Sequence, residues 1–230
     1  MMDFIVDSTF FGVFLSLLAY EIGSLIKRKW NWAIFNPLLI AIVLVIAVLS
    51  VFRIDYDTYY QGAKYLSYFL TPATICLAIP LYEKLQMLKD NRKAIFAGIL
   101  SGVLATLVGV LLIALLFSLN HTQYATLLPK SITTAIGIGV SEELGGIPTI
   151  TVAVIILSGI FGNMFGEMLC KWFRITDPVA RGIAIGSASH AIGTARAMEL
   201  GAVEGAMSSL SIAVSGLITV VGASIFAQFI

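Results

Sequence analysis

Apolar residues along the chain gather into long runs separated by short polar breaks. The hydrocarbon core of a bilayer is about 30 Å thick, so a spanning helix needs roughly 20 mostly apolar residues. Six runs reach that length: Thr9–Ile26, Trp32–Phe52, Gly62–Leu81, Ala94–Leu119, Pro148–Cys170 and Gly205–Ile230. Two further stretches, Leu127–Gly146 and Ala180–Gly201, are long enough to enter the membrane but are rich in Gly, Ser, Thr and charge. Non-helical backbone survives at membrane depth only where protein or a water-filled cavity satisfies its polar groups. The pattern predicts an all-α integral membrane protein with about six transmembrane helices and two re-entrant or broken helical segments around a lined cavity.

The basic residues then suggest an orientation. They form three clusters, Lys27, Arg28 and Lys29; Lys84, Lys89, Arg92 and Lys93; and Lys171, Arg174 and Arg181. Short cytoplasmic loops carry the excess of Lys and Arg. With all three clusters cytoplasmic, the N-terminus and the loops around Asp55 and His121 face outward. The crossings then balance only if 127–146 dips in from outside and 180–201 dips in from the cytoplasm; full crossing of both as broken helices is the alternative. Asp3 and Asp7 precede the first run, which is unlike a cleaved signal peptide and predicts a retained helix.

An internal period supports paired units. The Ser-Gly pairs at Ser101, Ser158 and Ser215 are 57 residues apart in similar apolar flanks, and Pro72 and Pro129 share that spacing. The expected organisation is an N-terminal block of helices, 1–126, serving as scaffold and dimerisation surface, followed by 127–230. In the second block, 127–170 and 180–230 each read as a re-entrant segment followed by a full helix. Entered from opposite faces, they make an inverted-topology repeat, an arrangement in which transporters bind substrate near the midplane.

Composition narrows the class. Apolar residues make up 59% and charged residues 12%, and the mean hydropathy is +0.97, so the solvent for most of the surface is lipid. A net charge of +1 gives no reason to expect nucleic-acid binding. Cys76 and Cys170 lack metal-ligand spacing and read as small buried apolar residues. No cofactor or metal is expected.

Candidate chemistry lies in the two polar segments. Helical spacing places Lys130, Thr134, Gly137 and Ser141 on one face of the first. In the second it aligns Ser187, His190 and Thr194, with Ser189, Gly193 and Arg196 as an adjacent stripe. Hydroxyls and a cation in both, with helix N-termini at depth, suit a carboxylate. The expected ligand is therefore a small organic anion. Lys130 also reads as a residue snorkelling to the headgroups, and His190 as a neutral packing residue. An unpaired Arg196 would cost at least ~2.5 kcal/mol on insertion scales, which calls for an anion or for Glu142, Glu143 or Glu199 as ion-pair partner. Gly98 with Gly102 and Gly162 with Gly166 read as helix-packing pairs, and Pro72 and Pro80 as bends in the third helix.

The runs FLTPATICLAIPLYEKL, TLLPKSITTAIGIGVSEELGGI and ARGIAIGSASHAIGTARAMELGAVEGAMSSL resemble the bacterial CidB/LrgB family, and their wording is closer to the CidB branch. The resemblance covers essentially the whole chain. It implies a multi-pass protein of the bacterial cytoplasmic (inner) membrane, partnered by a small CidA/LrgA-type holin-like membrane protein. It further implies holin-like or antiholin-like control of murein hydrolase activity, autolysis and programmed cell death. Relatives are also linked to movement of monocarboxylates such as pyruvate, glycolate and glycerate. No catalytic residue carries over; the matched positions that suggest substrate binding are Lys130, Ser131, Thr133, Thr134, Ser189, His190, Thr194 and Arg196.

Three functions compete on this reading. A carrier of a small monocarboxylate accounts for the inverted repeat and the buried cations, whereas a holin-like oligomeric lesion needs neither. An intramembrane enzyme is disfavoured, because the adjacent Ser189 and His190 point about 100° apart on a helix. Small-residue helix faces favour a homo-oligomer.

Overall fold

The computed structural model describes residues 8, 10–30, 35–76 and 78–230, and only the backbone at positions 70, 71, 74, 80, 81 and 85. Asp3, Asp7 and the expected starts of the first two runs at Thr9 and Trp32 lie outside the described residues. Regular structure among the described residues is entirely helical, as the apolar runs predict. The chain divides into two compact units, Met1–Cys76 and Leu77–Ile230, earlier than the expected boundary at 126/127.

The first unit contains α1 (Phe11–Trp30), α2 (Pro37–Phe52), α3 (Tyr56–Ser67) and α4 (Leu70–Cys76). Asn36 starts α2 by accepting the Leu38 and Leu39 N–H groups on its side chain, with Pro37 at the first helical position. Gly12 lets α1 approach Tyr59 and Ala63 of α3, and the Ser16 and Tyr59 hydroxyls meet at 2.8 Å. The expected continuous third span, Gly62–Leu81, is not one helix. A turn at Tyr68 and Phe69 separates α3 from α4, and α5 (Ala78–Glu83) belongs to the second unit. Pro72 occupies the third position of α4, where a missing N–H forfeits no intrahelical bond. Pro72 thus sits at a helix start, and the expected span is broken at the turn before it, in place of the kink expected within a long helix.

The second unit continues with α6 (Leu85–Asp90), α7 (Arg92–Leu116), α8 (His121–Leu127), α9 (Thr134–Glu143), α10 (Pro148–Trp172), α11 (Pro178–Leu200) and α12 (Ala202–Phe226). Helices α7, α10 and the segment Ala202–Phe229 are long and apolar enough to cross a membrane. The three Ser-Gly pairs of the 57-residue period fall on these three long helices. A core of Ile99, Val103, Leu107, Tyr124, Leu128, Ile132 and Met207 joins α7 and α12 to the α8–α9 segment.

Both polar segments are hairpins. In the first, Asn120 and Gln123 form a reciprocal cap that starts α8, and residues 128–133 turn before α9 begins. The His121 Nε2 lies 3.0 Å from the Leu144 carbonyl, so the segment enters and leaves at one end. Thr151 closes the base: its hydroxyl lies 3.0 Å from the Thr126 carbonyl and 2.7 Å from the Ser141 hydroxyl.

The second hairpin is α11 itself, broken at His190, whose φ of 43° and ψ of −140° are not helical. Gly182 backs onto Glu204 and Gly186 onto Ser208, so the first arm runs parallel to α12. On the second arm, Thr194 meets Ser208 at 2.7 Å and Met198 backs onto Gly205, so that arm runs the opposite way. Ile185 and Ala197 pack together on Cys170 between the arms. The base of this hairpin lies at the starts of α11 and α12, whereas the first hairpin's base lies at the end of α12, where Tyr124 Oη donates to the Phe226 carbonyl at 3.0 Å. The two hairpins therefore enter the second unit from opposite ends, as the inverted-repeat pattern requires.

Candidate functional site

The hairpin tips converge on the middle of α10. His190 Nε2 lies 2.9 Å from the Ile155 carbonyl, and Gly137 of α9 backs onto the Ile155 side chain and the Pro129 carbonyl. At 1.5 Å per residue, Ile155 and Gly159 lie roughly 10 and 16 Å along α10, within the central part of a helix roughly 37 Å long. Asn163 Nδ2 donates to the Ile192 carbonyl at 2.8 Å and secures the start of the returning arm.

Close approach at the tip depends on missing side chains. A Cβ on Gly159 would lie 2.8 Å from His190 Cε1, and one on Gly162 would collide with the Ser189 side chain. Two other glycines of the 57-residue period act in the same way: a Cβ on Gly102 would lie 2.8 Å from the Ser187 hydroxyl, and one on Gly216 would lie 3.1 Å from Ile136 Cδ1 of the first hairpin. The repeated Ser-Gly thus marks one notch on each long helix in which a hairpin side chain rests.

Beside the tips, a groove enclosing about 1200 Å³ runs along α7 and the first arm of α11, lined by Ser101, Thr106, Gly109, Ser187, Ala188 and Lys130 among others. Its charged lining residues are Lys130 and Asp177. Asp177 is the N-cap of α11, its carboxylate accepting the Ala180 N–H at 2.9 Å. Lys130 stands in the turn of the first hairpin, between the buried anchors Leu128, Pro129 and Ile132. Its ammonium donates to Ser131 Oγ at 3.1 Å and has no carboxylate partner among the described residues.

The structure brings only part of the expected set together. Lys130 and Ser131 share the first tip, and Thr133 is the N-cap of α9, which begins at Thr134. Lys130 is therefore outside the helix, and the expected face joining it to Thr134, Gly137 and Ser141 does not form. Likewise the break at His190 interrupts both stripes expected along 187–196. Ser189 and His190 are buried against α10, and Thr194 is buried against Ser208.

Arg196 does not line the groove. Its guanidinium donates to Glu167 of α10 and to Glu199, and Glu167 also holds Lys171 at 2.6 Å. Of the three expected partners, Glu199 engages Arg196, whereas Glu142 and Glu143 are exposed and pair with no cation among the described residues. Glu167 was not singled out from the sequence, although its i,i+4 spacing to Lys171 is legible there. A second pair, Arg181 with Glu204 at 3.4 Å, ties the entering arm to α12.

The chain matches the model of the LrgB-like family over residues 16–229. It is 39% identical over 222 residues to proteins named antiholin-like protein LrgB from Bacillus mycoides (strain KBAB4), Bacillus cereus (strain B4264) and Bacillus anthracis (strain CDC 684 / NRRL 3495), covering 96% of this chain and 96% of each relative. These comparisons do not separate the CidB from the LrgB branch. No solved structure matches it.

Proposed function

This chain belongs to the LrgB-like family and is a membrane protein, and from that premise we propose that it is a carrier for a small monocarboxylate such as pyruvate. The observation that carries the reading is the pair of hairpins entering from opposite ends and meeting beside the middle of α10. Hairpins of this kind place polar backbone and side chains at depth inside protein, as a solute pathway requires. A lesion that passes solutes without selection needs no such inverted pair.

In this reading the protein works in the bacterial cytoplasmic membrane as a homo-oligomer beside a small CidA/LrgA-type protein. Solute movement there feeds control of murein hydrolase activity, autolysis and programmed cell death. The clusters at Arg92 and Lys93 and at Lys171 and Arg174 face the cytoplasm, so the second hairpin enters from that side. The chain itself is not an enzyme. The relatives' name, antiholin-like, favours the second reading, in which the chain forms or restrains an oligomeric membrane lesion.

Proteoliposomes separate the two. The carrier reading expects saturable uptake of labelled pyruvate with full retention of a co-entrapped dye such as calcein. Dye release in step with pyruvate entry would establish the lesion instead.

A further inference from the structure

Two cations on the hairpins are candidates to hold an anion, and their surroundings differ. The Arg196 guanidinium is already shared between two carboxylates, Glu167 and Glu199, and lies away from the groove. Lys130 faces the groove with no carboxylate partner among the described residues. An ammonium has three donors; Ser131 Oγ takes one of them, and two are left for a ligand. A carboxylate offers two oxygens. The Ser101 and Ser187 hydroxyls, which line the same groove, donate to the Gly98 and Ile183 carbonyls at 2.8 and 2.7 Å. Thr106, which also lines the groove, donates no hydrogen bond among the described residues.

We infer that Lys130, with Thr106 across the groove, is the seat of the anion, and that Arg196 is a clasp that holds the returning arm of the second hairpin to α10. The turn suits this role. Leu128, Pro129 and Ile132 are buried and hold the backbone still, so the lysine stem has a fixed base from which to reach the groove. An unpaired cation at this depth carries a solvation penalty that a bound carboxylate offsets. A clasp, by contrast, needs its charges matched within the protein, as Arg196, Glu167, Glu199 and Lys171 are.

The inference rests on the carrier reading for the identity of the ligand, but it is tested by binding and not by transport. Full-length protein in lipid nanodiscs is titrated with labelled pyruvate, lactate and glycolate, and its melting temperature is recorded without ligand. Lys130→Met should bind about 10- to 100-fold more weakly than wild type, the loss of a charged hydrogen bond, and melt no lower. Thr106→Val should weaken binding to a smaller degree. Arg196→Gln should bind within about threefold of wild type and melt lower, because a surface-edge ion pair is lost. Full binding by Lys130→Met, or loss of binding in a well-folded Arg196→Gln, would overturn the assignment, as would no binding of any of the three anions by wild type. Binding through Lys130 without passage across the membrane would leave the seat standing and refute the carrier.

Discussion

Replacing His190 by glycine should leave the protein more stable than replacing it by alanine. In an ordinary helix the order is the reverse, alanine being favoured by about 1 kcal/mol. At position 190 the backbone holds φ 43° and ψ −140°, a conformation that costs a residue with a Cβ about 1–3 kcal/mol and glycine little. Both variants lose the hydrogen bond to the Ile155 carbonyl, about 0.5–1.5 kcal/mol, and both lose the ring's contact with Gly159. Those losses cancel in the comparison. Setting about 2 kcal/mol of relieved strain against about 1 kcal/mol of extra glycine entropy leaves about 1 kcal/mol in favour of glycine. Denaturant unfolding in mixed micelles, followed by circular dichroism, reads that difference directly. The same exchange at Ala195, exposed on the returning arm, supplies the ordinary case, where Ala195→Gly should cost about 1 kcal/mol. If His190→Ala proves more stable than His190→Gly by a similar amount, the backbone at 190 is helical and the hairpin is refuted.

Gly162→Val should destabilise the protein by about 1–3 kcal/mol and abolish pyruvate uptake, since the added carbons occupy the place of the Ser189 side chain. Gly139→Ala, which meets no atom within 4 Å, should be neutral or raise the melting temperature. Thr151→Val should cost about 1–3 kcal/mol in unfolding experiments, because it leaves the fully buried Ser141 hydroxyl without its 2.7 Å partner at the base of the first hairpin.

How much of this was legible in the sequence follows from which physical signals are local. Long apolar runs located α7, α10 and α12, and the glycine-rich polar stretches located both hairpins, because lipid penalises unsatisfied backbone regardless of tertiary detail. The 57-residue period also carried real information: its glycines at 102, 159 and 216 each receive a hairpin side chain. Helical periodicity failed where the helix stops. Lys130 lies in a turn and His190 at a break, so stripes drawn through them join residues that face different neighbours. The Arg196 partner Glu167 lies on another helix, 29 positions away, and pairings of that range leave no local mark. The third span is overextended because apolar content alone does not register the turn at Tyr68 and Phe69 or that Pro72 begins a helix.

The most direct test of two opposed re-entrant hairpins is side-specific labelling. With Cys76 and Cys170 replaced, single cysteines are placed at the exposed positions Gln123 and Glu143, on the two arms of the first hairpin, at Thr176, just before the entering arm of the second, and at Glu199, on its returning arm. A membrane-impermeant maleimide should reach 123 and 143 from one face and 176 and 199 from the other. Labelling of 123 and 143 from opposite faces, or of 176 and 199 from opposite faces, would show a segment crossing the bilayer and contradict the fold on which the site depends.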